Sequence, residues 1–442
     1  MTVPQTMTVN QTPPVQPAEL LRFATAGSVD DGKSTLVGRL LHDSKSVFTD
    51  QLEAVERASR QSGRPLTDLA LLTDGLRAER EQGITIDVAH RYFATPKRRF
   101  ILADTPGHVQ YTRNMVTGAS TADLAVVLVD ARHGVVEQTR RHTAVAALLR
   151  VPHIVLAVNK MDLVGCSEEV FASVARTFAA YAAGLGTARV TSIPVSALSG
   201  DNVVRPSTRM DWYAGPTLLE ELETAQVGSA EPAPEVRLPV QYVIRPQSAG
   251  YADYRGYAGQ LASGVLRVGD PVTVFPSGTT TTVAGIDVLG RSCETARAPQ
   301  SVTVRLADAV DVSRGDVIGA GPAPVVTREV EAVVCHLAER PLRSGDRVLL
   351  KQATRTVRAI VTDVDDLIDI GTLERLPAPD GLRLNEIGRV RLRTTEPLAL
   401  DTYADNRRTG SFILIDPVDG GTLTAGMVQG PDHAGQTGPG RT

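Results

Sequence analysis

Short apolar runs recur from residue 20 to about residue 228, and stretches with helical spacing of apolar positions separate them. The runs at 21–26, 88–93, 98–103, 123–129, 153–158 and 189–195 read as strands. Strands alternating with helices predict an α/β domain over 19–228, a mostly parallel sheet with helices on both faces. Between the first helical stretch, Ser34–Leu41, and the second strand lies a long insert, 43–87. Residues 49–61 of it have the spacing of a helix, with Leu52 and Val55 on one face.

The pattern changes after Ala225–Pro234, a segment of small residues and proline with no period that reads as a linker. Beyond it the helical spacing fades and short strands alternate with glycine turns. Residues 238–244, 257–261, 265–270, 272–275 and 302–306 predict one antiparallel β-barrel over 235–322. Residues 330–337, 347–351, 357–364, 388–394 and 411–415 predict a second over 326–418. Residues 1–18 are Thr, Gln, Pro and Val without period, which predicts a disordered tail. Residues 419–442 are expected to be mostly flexible, and loose after Val428.

The 442 residues suffice for two or three domains, and the composition is that of a soluble globular protein, 22% charged and 42% apolar. A net charge of −4 speaks against a broad nucleic-acid surface. No apolar run approaches the roughly 20 residues that span a bilayer. Three widely spaced cysteines form no metal spacing and fit a reducing cytoplasm. Of 46 basic residues only five are Lys, and two of these, Lys33 and Lys160, fall in the motifs below. A compact ammonium is not interchangeable with a planar guanidinium there.

Gly27-Ser28-Val29-Asp30-Asp31-Gly32-Lys33-Ser34 has phosphate-loop spacing and lies between a strand and a helix, followed by Thr35. Its glycines let successive N–H groups turn toward a phosphate. Lys33 is placed to reach the β- and γ-phosphates, and the Ser34 hydroxyl to ligate Mg²⁺. The helix dipole adds positive potential. Downstream, Asp104-Thr105-Pro106-Gly107-His108 ends an apolar strand, where ligands bind in such sheets. Asp104 is expected to hold a Mg²⁺-bound water, Gly107 to offer its N–H to the γ-phosphate, and His108 to orient the attacking water. Thr85, in Gly83-Ile84-Thr85-Ile86, is expected to close over the γ-phosphate and to join the Mg²⁺ shell when GTP is bound. Lys33, Thr85 and His108 are thus the expected catalytic set.

Asn159-Lys160-Met161-Asp162 ends another strand and reads as a guanine reader. A carboxylate accepts from the guanine N1–H and N2–H₂ together, a donor pair that adenine lacks. Asn159 is expected to tie this loop to the phosphate loop, and the Lys160 stem to cover the ring. Ser196-Ala197-Leu198 would supply an N–H to guanine O6. GTP with Mg²⁺ is therefore the expected ligand.

These motifs, in this order and followed by two barrels, resemble the translational GTPase superfamily of which elongation factor Tu is the type. The resemblance covers about 20–428. It implies gate residues at Val29 and Ile84 beside His108, and a supporting role for Asp30 toward a monovalent cation or the nucleotide. The details are closer to one branch. Asp31 stands where elongation factors usually carry His. The stretches 43–48, 72–93, 113–120 and 410–416 resemble the GTPase subunit of bacterial heterodimeric sulfate adenylyltransferase.

That branch implies a smaller catalytic partner that joins ATP and sulfate into adenosine 5′-phosphosulfate and pyrophosphate, driven by GTP hydrolysis in sulfate assimilation. The chain carries no Ser-Gly-Gly-x-Asp-Ser loop for the adenylylation, which is expected on the partner. It also shows no second phosphate loop, so no fused adenylylsulfate kinase is expected. The expected localisation is cytoplasmic, with no membrane or nucleic-acid partner. The alternatives are an elongation factor Tu-like carrier of aminoacyl-tRNA and a GTPase-fold regulator with little turnover.

Overall fold

The computed structural model describes residues 19–45, 69, 88–107, 112–187, 189–226, 233–246 and 254–430. Thr85, Ile84, His108, both chain termini and the expected helix at 49–61 lie outside the described residues.

The first sheet contains β1 (Leu20–Ala26), β2 (Ala89–Ala94), β3 (Arg99–Asp104), β4 (Leu124–Asp130), β5 (His153–Asn159) and β6 (Val190–Pro194). Their spatial order is β2-β3-β1-β4-β5-β6. β2 runs antiparallel to β3, and the other neighbours are parallel. Every residue of β4 and β5 is buried. Such strands need cover on both faces, which helices provide in a parallel sheet. The helices are α1 (Lys33–Asp43), α2 (Thr112–Ala119), α3 (Glu137–Leu148), α4 (Glu168–Gly184) and α5 (Leu218–Thr224). Ser167 caps α4, accepting from the Val170 N–H at 3.3 Å, and a Thr217–Glu220 capping box starts α5.

Two closed antiparallel barrels follow, as the alternation predicts. The first holds β7 (Val236–Ile244), β8 (Gly256–Gln260), β10 (Pro271–Phe275), β11 (Thr279–Val288), β12 (Arg291–Cys293), β14 (Ser301–Leu306) and β15 (Val317–Ala320), while β9 (Val265–Arg267) and β13 (Thr295–Arg297) pair with each other in a separate two-stranded sheet. A β10–β11 pairing closes the barrel. The second holds β16 (Val325–His336), β17 (Arg347–Gln352), β18 (Arg355–Ile368), β19 (Arg375–Leu376), β20 (Ile387–Leu400), β21 (Ser411–Ile415) and β22 (Thr422–Val428), closed by β17–β18.

β22 corrects the expected barrel end at 418. It pairs with both β16 and β21 and buries Leu423, Met427 and Val428. Gly420 and Gly421 make the turn into it, and that glycine pair reads in sequence like the start of a loose tail.

One segment, 401–410, ties the three units together. Asp401 pairs with the buried Arg237 of the first barrel at 2.8 Å. Tyr403 donates its hydroxyl to the Leu149 carbonyl of the α/β domain at 2.9 Å. No helix of the described residues is long and apolar enough to cross a membrane.

Candidate functional site

The C-terminal ends of β1, β3, β4 and β5 meet at one edge of the first sheet, and the strand register decides which side chains meet. Thr25 lies beside Asp104, and Asp130 beside Asn159. Thr25 Oγ1 donates to Asp104 Oδ1 at 2.8 Å, and Thr105 Oγ1 donates to the Thr25 carbonyl at 2.5 Å. The loop after β3 is thereby fixed against the loop after β1.

Gly32 ends the phosphate loop with φ +90° at the N-cap of α1. A Cβ there would be strained in conformation and would sit 2.5 Å from Asn159 Nδ2. The first turn of α1 carries no acidic residue, so its free N–H groups keep their positive potential. Lys33 is buried, and its ammonium donates to the Gly27 and Ser28 carbonyls, each at 2.8 Å. An ammonium has three protons, so one remains for a phosphate oxygen.

Burial pushes the Lys33 amine below its usual value, opposed by Asp104, Asp31 and Asp30. Burial likewise pushes the Asp31 carboxyl up, while its Oδ2 accepts from the Ser28 N–H at 2.5 Å. Gly107 approaches the same point. A Cβ on it would strike Lys33 Nζ and lie 2.8 Å from the Gly27 carbonyl oxygen.

The base-side loops are held to the phosphate loop by Asn159. Its Nδ2 donates to the Asp31 carbonyl at 2.7 Å, and its Oδ1 accepts from the Ala197 N–H at 3.0 Å. Lys160, with φ +62°, donates to the Asp30 carbonyl and pairs with Asp130 at 3.0 Å. Asp162 Oδ1 accepts from Ser196 Oγ at 2.6 Å, and the Ser196 side chain is fully buried. Met161 is buried beneath them.

One edge therefore gathers Gly27–Thr35, Asp104–Gly107, Asn159–Asp162 and Ser196–Leu198. Val29 is exposed, and its expected gate partner Ile84 lies outside the described residues, as do Thr85 and His108.

Residues 18–227 match the Elongation factor Tu GTP binding domain family, and residues 329–429 match the GTP-eEF1A C-terminal domain-like family. The bifunctional enzyme CysN/CysC of Mycobacterium tuberculosis (strain ATCC 25618 / H37Rv) is 57% identical over 411 residues, 92% of this chain and 67% of that protein. Sulfate adenylyltransferase subunit 1 of Aeromonas salmonicida (strain A449) is 51% identical over 416 residues, 93% of this chain and 87% of that protein. The chain belongs to the sulfate adenylyltransferase subunit 1 family. Among solved structures, Sup35 complexed with GMPPNP is 24% identical, with 93% of this chain and 94% of that chain covered and a TM-score of 0.42. The family match over residues 18–227 makes the first domain a GTP-binding domain, as its motifs predict.

The sequence reading missed four contributors to the site, Asp130, Arg132, Arg39 and Thr25. Asp130 closes β4, and Arg132 binds it through Nε at 3.0 Å and Nη2 at 2.6 Å. Burial alone would raise its carboxyl, but the bonds from Arg132 and Lys160 outweigh that and hold it well below the usual carboxylate range. Arg39 of α1 donates to the carbonyls of Ala197 and Leu198 at 3.1 and 2.6 Å, clamping the third base-side loop. Thr25 is the hydroxyl that holds Asp104. Asp130 carried a signal, since an acid closing a buried strand seldom lacks a partner. Arg39 carried none, because its partners are backbone atoms distant in sequence.

Proposed function

We propose that this chain binds and hydrolyses GTP, and that hydrolysis drives a smaller partner subunit to make adenosine 5′-phosphosulfate and pyrophosphate from ATP and sulfate. The observation that carries the GTP half is the Asn159 bridge, which joins the base-side loops to the phosphate loop through two hydrogen bonds. One rigid unit then reads both ends of the nucleotide. The sulfate half rests on identity to sulfate adenylyltransferase subunit 1 along nearly the whole chain.

In this reading the phosphate-loop N–H groups and Lys33 bind the β- and γ-phosphates. Asp162 accepts from the guanine edge, and the Ala197 and Leu198 loop meets O6. Gly107 brings its N–H to the γ-phosphate, and His108 orients the attacking water. Thr85 closes over the γ-phosphate. Phosphoryl transfer of this kind needs positioning and charge neutralisation rather than covalent chemistry.

The Ser34 hydroxyl and the Asp104 carboxylate, with Thr85, are hard oxygen donors of the kind Mg²⁺ takes alongside water and phosphate. They would hold that ion, which when bound neutralises charge on the phosphate oxygens. No cluster of three or more His, Cys, Asp or Glu suited to a metal occurs among the described residues. That fits a site made from hydroxyls and a single carboxylate. The cysteines of the described residues are free thiols, which supports a reducing, cytoplasmic setting.

The test is pyrophosphate release from ATP and sulfate by the chain with its small partner, with and without GTP. Release is expected to rise with GTP, and Lys33→Ala is expected to lower the GTP-dependent part by roughly 10²-fold or more, the cost of removing a donor aimed at developing charge. GTP hydrolysis that ATP and sulfate leave unchanged would overturn the sulfate half and leave the GTPase standing.

A further inference from the structure

The outward face of the second barrel carries an arginine array that makes no ion pair among the described residues. β17, β18 and β20 alternate buried and outward residues. The register places Arg347 opposite Ile360, Ile360 opposite Arg393, and Leu349 opposite Arg358. Each outward apolar residue therefore has a guanidinium beside it. With Pro417 these six side chains line a groove of about 640 Å³. Ile360 is 37% exposed.

Elsewhere on the same strands arginines are neutralised by the chain itself. Arg389 pairs with Asp366 at 2.6 Å, Arg391 with Asp365 at 2.9 Å, and Arg355 with Asp316 at 3.1 Å. Arg347, Arg358 and Arg393 are exposed, and no ion pair holds them among the described residues. Three like charges around one apolar strip repel one another, and the register neighbour of Arg393 on β16, Glu329, is itself exposed and forms no ion pair with it among the described residues. Their guanidinium forks stay available to carboxylates from outside.

We propose that this groove docks the small catalytic partner, through a segment that sets an apolar side chain on Ile360 and Leu349 and carboxylates on Arg347, Arg358 and Arg393. The proposal rests on the function proposed above. Charge complementarity selects an acidic occupant, and the apolar floor selects protein over nucleic acid. The groove has no aromatic platform for base stacking, and the whole chain carries a net charge of −4. Arginine beside an apolar pocket is also the composition of an interface anchor. A stable interface covers about 800 Å² on each partner, so the groove forms its centre and neighbouring surface its rim.

The experiment compares the parent chain with the triple variant Arg347→Glu/Arg358→Glu/Arg393→Glu in binding to the purified small subunit by calorimetry, at low and high salt. The variant is expected to bind at least about 30-fold more weakly, with a flatter salt dependence. Its thermal midpoint and its GTP hydrolysis without partner are expected to match the parent. The milder Arg347→Gln/Arg393→Gln variant gives the same comparison if the triple variant does not fold, with a smaller loss expected.

A variant that binds the subunit as tightly as the parent overturns the proposal, and so does one that loses only affinity for a mixed-sequence RNA. A parent chain that fails to bind the small subunit at all overturns the function reading instead, a result separable from the first.

Discussion

At the edge of the first sheet Asp104, Asp130, Asn159 and Ser196 are each at most 2% exposed, and each has a partner within the molecule. On the outward face of the second barrel Arg347, Arg358 and Arg393 are exposed and unpaired among the described residues. The contrast follows from desolvation. A polar group taken out of water must be bonded, so its position is over-determined. An exposed guanidinium can stay solvated at little cost and keep its donors free. The first condition suits a preorganised small-molecule site of the kind proposed, because the loops are fixed to one another by their own hydrogen bonds. The second makes a surface that gains free energy only when a partner's carboxylates replace its water with charge-assisted hydrogen bonds.

Removing a single reader from the preorganised side should give the largest effect. Asp162 Oδ1 accepts from Ser196 Oγ at 2.6 Å, which orients the carboxylate, and in the proposed function its two oxygens would accept from the guanine N1–H and N2–H₂. Asp162→Ala takes away the acceptor pair that adenine cannot satisfy. The preference for GTP over ATP is expected to fall on the order of 10⁴-fold, the range for a site that must hydrogen-bond its ligand. Competition of ATP and GTP against a fluorescent guanine nucleotide measures it. An unchanged preference would show that another group reads the base and that the link to Ser196 is only structural.

The two regions also differ in how far the sequence reveals them. The phosphate loop, Asp104 and Asn159-Lys160-Met161-Asp162 are legible because each is a contiguous stretch at a strand end, where spacing alone fixes the geometry. The six strands of the first sheet are legible because their apolar runs are short and bounded. Thr25, Arg39 and Arg132 are less so, since their roles depend on which strand lies next to which.

The barrels show the same limit. Thr279–Val288 was not expected as a strand, because its first residues are four consecutive threonines with no apolar alternation, yet it pairs with β10, β12 and β14. The arginine groove is least legible of all. Arg347, Arg358 and Arg393 are spread over three strands, and only register brings them around Ile360.

Acid should separate the two regions further, because arginine keeps its charge while buried histidine resists gaining one. His142 on α3 is 1% exposed, and its Nδ1 has no hydrogen-bond partner among the described residues. Burial first, then the charges of Lys33 and Arg141, push it down to about 3 from the model-peptide 6.5. Between those values the unfolded chain binds the proton and the folded chain does not. Stability is therefore fully present above pH 6.5 and is lost as pH falls toward 3, at up to about 1.4 kcal/mol per pH unit. Burial lowers His153 and His336 as well, which adds in the same direction. Urea unfolding at pH 7.5, 6.0 and 5.0 should show the decline, and His142→Gln should flatten it. Equal slopes for parent and variant would mean that His142 is solvated or paired in solution.

The smallest expected effect tests the contrast within one strand. On β20, Arg389 sends Nε and Nη2 to Asp366 Oδ2 at 2.9 and 2.6 Å, and Asp366 is 7% exposed. Arg389→Ala leaves that carboxylate with Arg375 at 3.4 Å as its remaining ion-pair partner among the described residues. Leaving a buried acceptor short of a donor costs about 1–2 kcal/mol. Arg393, four residues on and exposed, forms no ion pair among the described residues, and Glu329 opposite it is exposed to water rather than buried. Arg393→Ala is expected to stay within about 0.5 kcal/mol of the parent, like other surface changes. The comparison is read from urea midpoints at unchanged m-value. If the Arg393→Ala midpoint fell as far as that of Arg389→Ala, Arg393 would be serving the fold itself, and its guanidinium would not be free to meet a partner's carboxylate.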